Sequence, residues 1–155
     1  MAFDWQPAWA VREPWRAWTA AFVHYSALHL AANGAGAVLV GALEVVAVVP
    51  WRSVAAWLAA WPLTQIGLLV RPDLRHYGGL SSVLHAGVAV VALHLIIAGR
   101  GRRRWIGAAT LAVVAVKVIG EAPWGPALRH PAGWDIAVAP FAHATGVSEA
   151  LASSR

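Results

Sequence analysis

Cysteine is absent from the 155 residues, which removes disulfides, zinc–thiolate sites and cysteine nucleophiles together while leaving the redox compartment open. Charge is scarce too: 12% of the residues are charged and only seven are acidic. The chain has no HExxH motif, no stretch that reads as a soluble second domain, no repeat and no low-complexity tract. What fills it is apolar, with 59% hydrophobic residues and ten tryptophans, the profile of a membrane protein. Much of the net charge of +5 sits in one run, Arg100-Gly-Arg-Arg-Arg104, between two apolar stretches. Such a run reads as a cytoplasmic loop under the positive-inside rule rather than as a nucleic-acid contact. The expected surroundings are therefore a lipid bilayer, with no nucleic-acid partner.

Five apolar segments, 27–49, 52–70, 81–98, 105–119 and 134–152, approach the ~20 residues that cross ~30 Å of hydrocarbon. Pro50, Arg71-Pro72-Asp73, the arginine run and Pro123-Trp-Gly-Pro126 with Pro131 separate them. Trp15, Trp18, Trp51, Trp105, Trp124 and Trp134 fall near span ends, as interfacial belt residues do. The expectation is an all-α polytopic membrane protein. It forms a single transmembrane domain over 1–155, with 1–26 as an N-terminal segment and outer loop. If residues 100–104 are cytoplasmic, the N-terminal ends of the third and fifth spans face outside.

Polar side chains recur within this apolar background: His24, His29 and Asn33 in the first span and its approach, Ser81 at the start of the third, and His143 in the last. Their cost in hydrocarbon makes an intramembrane site the default hypothesis. His143, nine residues beyond Trp134, is expected roughly 13 Å into its span at 1.5 Å per residue. Ser81 opens its helix, so the two meet only if the third span begins below the surface, after a loop that Gly78-Gly79 lets turn tightly. Ala142, Gly146 and Ala150 on the last span, and Ser82 and Ala86 on the third, have small-xxx-small spacing that allows close backbone approach. Such packing would bring an imidazole nitrogen within the ~2.6–3.2 Å that a base–nucleophile pair needs.

No span carries a carboxylate that clearly completes a triad, so the reading is a Ser81–His143 dyad of a serine protease. His29 and Asn33, at i and i+4 on one helical face, are candidate oxyanion donors together with the Ser81 backbone N–H. His24 either orients the site or bonds a loop carbonyl, and His85, one turn past Ser81, reads as packing. His76, His94 and His130 read as satisfied or solvated. Lys117 and Glu121 form an i, i+4 pair near the outer end of the fourth span, where they neutralise one another or bind a polar substrate tail.

In His29-Leu-Ala-Ala-Asn33, Gly79-Leu-Ser81-Ser82 and Ala142-His143-Ala-Thr-Gly146 the chain resembles the rhomboid intramembrane serine proteases. Within that family it is most similar to the compact bacterial branch called rhombosortase, through Glu13-Pro-Trp-Arg-Ala-Trp-Thr19, Tyr77-Gly-Gly-Leu-Ser-Ser-Val-Leu-His85 and Val116-Lys-Val-Ile-Gly-Glu121. The resemblance implies a six-helix fold with its first helix missing here, nucleophile Ser81, general base His143, oxyanion donors His29 and Asn33, and no metal or organic cofactor. It also implies substrates that are exported proteins with a C-terminal Gly-Gly sorting tail and membrane anchor. These would be cleaved near the outer face of a bacterial inner membrane.

Departures from the pattern bear on that expectation. Ser82 stands where the family pattern has Gly, so its hydroxymethyl either crowds the last span or offers a rival nucleophile. Glu149 places a carboxylate in the last span, and Gly79 and Gly146 keep their family positions. Two other readings stay open: a catalytically inactive rhomboid-like adaptor that binds transmembrane segments, and a metal-dependent membrane protein using His24, His29, His85 and His143.

Overall fold

The computed structural model describes residues 2–153. The chain enters through a 3₁₀ turn at Pro7–Trp9, a four-residue helix α1 at Arg16–Thr19 and a second 3₁₀ turn at Ala20–Phe22. Five longer helices follow: α2 Ala27–Ala47, α3 Trp51–Ile66 with a 3₁₀ extension Gly67–Val70, α4 Ser81–Ala98, α5 Arg102–Gly120 and α6 Pro140–Ser153. Among the described residues, β pairing is limited to two isolated bridges, Trp5 with Tyr77 and Arg129 with Val138.

Local chemistry sets the boundaries. The Ser26 side chain caps α2 by accepting from the His29 backbone N–H. At the other end Val48 takes a left-handed conformation, and Pro50 then leads into α3. Gly101 separates α4 from α5, whose first turn is the arginine run. Pro140 opens α6, a position where its missing N–H costs nothing.

The last span differs from the sequence expectation: helix begins at Pro140, not at 134. Gly133 has a positive φ of 83°, and Val138 pairs in extended backbone with Arg129. His143 consequently lies in the first turn of its helix, as Ser81 does in α4. Neither side chain is half a span deep in its helix. Their meeting follows from two helix N-termini lying side by side.

Three helices, Ala27–Ala47, Trp51–Val70 and Ser81–Ala98, are long and apolar enough to cross a membrane. The fourth expected span is present as α5, but it carries three arginines in its first turn as well as Lys117. The fifth has 14 helical residues, about 21 Å of rise.

The apolar helix α4 is the hub, packed by α2, α3, α5 and α6. Of its 18 residues 56% are buried, against 17% along the most apolar stretch of α2. Ala60, Ala86, Ala89, Val90 and Ala150 form a core of small side chains where α3, α4 and α6 converge. All six tryptophans expected at an interface are exposed, from 41% at Trp134 to 76% at Trp105. Trp5 instead is buried and packs with Ala17, Ala20, Leu68, Leu74, Tyr77, Ala139 and Ala142.

Candidate active site

The N-terminal segment positions the loop before α4. Trp5 exchanges two backbone hydrogen bonds with Tyr77, at 2.7 and 2.9 Å, and Gly79 N–H donates to the Ala20 carbonyl at 2.9 Å. Asp4 is buried under this loop. It receives His76 Nδ1–H at 2.7 Å and Arg16 at 3.2 Å, and Arg16 is also paired with Glu13. Nothing in the sequence pairs residues 4 and 5 with 76 and 77, because the link is a single bridge and not a strand. His76 is thus a partner of Asp4, in keeping with its reading as a satisfied histidine.

Gly79 has φ +119°, a conformation that side-chain-bearing residues rarely adopt. A Cβ there would sit 2.5 Å from His29 Nε2 and 3.3 Å from Asn33 Nδ2, so the glycine loop is held directly against the two donors of α2. His29 Nδ1 accepts from the Tyr25 backbone N–H at 3.4 Å, which leaves the ring proton on Nε2, on the Gly79 side. Asn33 Nδ2 is buried and makes no hydrogen bond among the described residues. His24 donates Nδ1–H to the Phe22 carbonyl at 3.2 Å and packs edge-on against His29, behind it. Its place is that of the loop-carbonyl alternative.

Helices α4 and α6 run parallel and close. A Cβ on Gly146 would run into the Ser82 carbonyl oxygen, and Ala86 and Ala150 share a buried cluster one turn further along. This register brings Ser81 Oγ to 3.1 Å from His143 Nε2. Tyr77 OH lies 3.3 Å from the same Ser81 oxygen. His85 donates Nδ1–H to the Ser81 carbonyl at 2.7 Å and stacks on His143, with ring centroids 4.2 Å apart and planes at 16°.

Ser82 points the other way, fully buried toward α3. Its Oγ is 3.3 Å from Thr64 Oγ1 and 3.4 Å from Gln65 Nε2. Its hydroxymethyl therefore fills the α3 side rather than crowding α6.

His143 also has a partner that the sequence reading missed. Its Nδ1 lies 2.6 Å from Glu121 Oε2, whose other oxygen accepts from Lys117 Nζ at 2.6 Å. The sequence offered no carboxylate that clearly completes a triad, and the structure places Glu121 beside His143. Glu121 ends α5 and was visible only as the neighbour of Lys117, and its reach to His143 depends on how the following loop returns the chain to α6. One signal was present: a carboxylate at a helix C-terminus opposes the helix dipole and calls for a partner.

These groups line one end of a cavity of about 1120 Å³. His29, Asn33, Ser81, His85, Glu121 and His143 supply its polar wall, and Leu39, Leu43, Leu84, Val88 and Val114 extend it as an apolar trough between α2 and α5. Asp135, in the loop before α6, accepts the Ser26 hydroxyl at 2.8 Å and so ties that loop to the start of α2. Among the described residues, no three or more His, Asp or Glu side chains converge as a metal-ligand group. His24, His29, His85 and His143 fall instead into two ring pairs.

A hydroxyl against an imidazole, faced by the His29 imidazole and by an Asn33 amide that is unpaired among the described residues, within a membrane-type helical bundle, defines an arrangement suited to acyl transfer. The rhomboid domain family matches residues 11–154. The chain belongs to the rhomboid family, a family of multi-pass intramembrane serine proteases. No curated protein and no solved structure matches it.

Proposed function

We propose that this chain is an intramembrane serine endopeptidase in which Ser81 is the nucleophile and His143 the general base. The observation that carries the reading is the 3.1 Å approach of Ser81 Oγ to His143 Nε2 on the wall of the cavity. Ser81 Oγ adds to the scissile carbonyl carbon as its proton passes to Nε2. The oxyanion takes hydrogen bonds from His29 Nε2–H, Asn33 Nδ2–H and the Ser81 backbone N–H, which is unused by the helix because Ser81 opens α4. Collapse expels the amine with the proton from His143, and water then hydrolyses the acyl-enzyme by the same route.

The trough between α2 and α5 suits an apolar segment entering from lipid, and the polar end suits its unwound cleavage site. The arginines at 100–104 lie at the opposite end of the bundle, where Arg103 donates to the Ala47 carbonyl at 2.6 Å. Under the positive-inside rule that end is cytoplasmic, so the site opens outward, to the periplasmic side of a bacterial inner membrane. The segments Tyr77–His85 and 116–121 support the rhombosortase branch and, with it, exported substrates carrying a C-terminal Gly-Gly sorting tail and membrane anchor.

The test is fluorophosphonate labelling of the detergent-solubilised protein, with wild type beside Ser81→Ala, Ser82→Ala and His143→Ala. Labelling that survives Ser82→Ala and disappears in the other two is expected. Wild-type protein that is folded yet unlabelled would favour the inactive adaptor. Substrate class is tested with a membrane-anchored reporter, cleaved when its tail carries Gly-Gly and spared when it carries Leu-Leu.

A further inference from the structure

The arrangement of Glu121 goes beyond a Ser–His pair, and the inference drawn from it rests on the reading of Ser81 and His143 above. We propose that Glu121 is the positioning residue for His143, completing a Ser81–His143–Glu121 relay in which Lys117 and Arg129 hold the carboxylate in place.

The geometry decides the tautomer. His143 Nδ1 has two polar neighbours, Glu121 Oε2 at 2.6 Å and Lys117 Nζ at 3.5 Å. A carboxylate accepts and an ammonium only donates, so the short contact to Glu121 requires the proton on Nδ1. Nε2 is then the lone-pair nitrogen, and it faces Ser81 Oγ at 3.1 Å. A general base needs that orientation: the nitrogen toward the serine must be free to accept. When Nε2 takes the serine proton, the imidazolium formed lies beside a carboxylate.

The site is otherwise a poor place for Glu121. The end of α5 carries the negative pole of the helix, and a carboxylate there is destabilising. Lys117, one turn earlier, donates to Glu121 Oε1, and Arg129 donates to the Glu121 backbone carbonyl at 2.8 Å. Arg129 is itself fixed by its two-way backbone pairing with Val138, two residues before α6. If Glu121 served only to neutralise Lys117, neither the second oxygen's turn toward His143 nor the backbone clamp would be called for. His143 is buried, its side chain 7% exposed, while Lys117 is 47% exposed and reaches the carboxylate from outside.

The experiment measures cleavage of a membrane-anchored reporter by the full-length protein in liposomes, for wild type, Glu121→Gln, Glu121→Asp and Lys117→Met. Thermal melting and the ¹⁵N–¹H spectrum of the histidine rings are recorded alongside. Glu121→Gln can hold the imidazole in either tautomer and lacks the charge, so kcat falls about 10²–10⁴-fold with KM within about twofold. The Nδ1 proton signal of His143, shifted far downfield by its short bond to a carboxylate, disappears. Glu121→Asp recovers part of kcat. Lys117→Met lowers kcat by about tenfold or less, because the carboxylate remains and loses only its outer brace.

A Glu121→Gln variant with wild-type kcat, or one whose loss tracks a fall in melting temperature with the ring proton unchanged, overturns the relay and leaves the Ser–His reading intact. Wild-type protein that neither cleaves nor takes the fluorophosphonate overturns both.

Discussion

Replacing Gly146 with alanine tests whether helix packing sets the catalytic distance. The added methyl would press on the Ser82 carbonyl oxygen, 3.0 Å from the Ser82 carbonyl carbon and 3.3 Å from His85 Cβ. Carbon and oxygen in ordinary close contact stay about 3.3–3.6 Å apart, so α4 and α6 must part by on the order of 1 Å. The obstacle is backbone, which cannot swing aside as a side-chain tip can. Overpacking of this kind costs about 1–3 kcal/mol. The Ser81–His143 approach of 3.1 Å is already near the long end of the ~2.6–3.2 Å range for proton transfer. A further displacement near 1 Å lowers the rate about 10²-fold. The assay is the second-order rate of fluorophosphonate labelling, run beside thermal melting in the same detergent. Gly41→Ala is the control, since a Cβ there meets nothing within 4 Å. A Gly146→Ala protein that melts with the wild type and labels within about twofold of its rate would refute the argument that contact at residue 146 fixes the site.

Two other outcomes follow from the same geometry. Because Asn33 Nδ2 is buried without a partner among the described residues, Asn33→Ala should cost the fold little yet lower kcat by about 10²–10³ in reporter cleavage. His29→Ala should lower kcat similarly and also lower the melting temperature, since Tyr25 and His24 pack on the ring. In the N-terminal segment, burial raises the Asp4 carboxyl pKa, but hydrogen bonds from Gln6 and His76 outweigh it and hold the group below its usual 3.8. A depressed folded value stabilises above the unfolded one and loses that contribution as pH falls through the folded value. Acid melting curves should therefore show a loss of stability below about pH 4 that Asp4→Asn lacks.

The sequence carried the membrane class, the starts of α2 and α4 and the nearness of Ser81 to His143 because each depends on local composition or on a short motif. Apolar runs with breakers between them define helices whatever their neighbours, and Gly79 and Gly146 mark close approaches by their lack of a side chain. The start of α6 was legible too, in Pro140, but the apolar character of 134–139 outweighed it. Trp134 and residues 136–139 are apolar because they line the cavity, not because they form helix. Glu121 and the N-terminal segment were not legible for a different reason. Their contacts, 22 residues from Glu121 to His143 and 72 from Asp4 to His76, join chain ends through loops that carry no periodicity.

The polar groups that cost most in a membrane are also the ones that hold this bundle together. Ser82 joins Thr64 and Gln65 on α3, Thr145 donates to the Thr64 carbonyl at 3.0 Å from α6, and Trp57 donates to the Val83 carbonyl at 2.7 Å from α3 to α4. Bonds of this type contribute about 0.6–2 kcal/mol each between membrane helices, where apolar surfaces gain little by leaving lipid for one another. They cluster at the N-terminal end of α4, and the opposite end relies on Arg103 and the Ala47 carbonyl. The stability of the bundle is therefore concentrated beside Ser81. It follows that α2, which flanks the trough and shares none of these bonds with α3 or α6, is the helix free to part for a substrate, while α5 stays bound to α6 through Glu121 and His143 and Ser81 and His143 keep their distance.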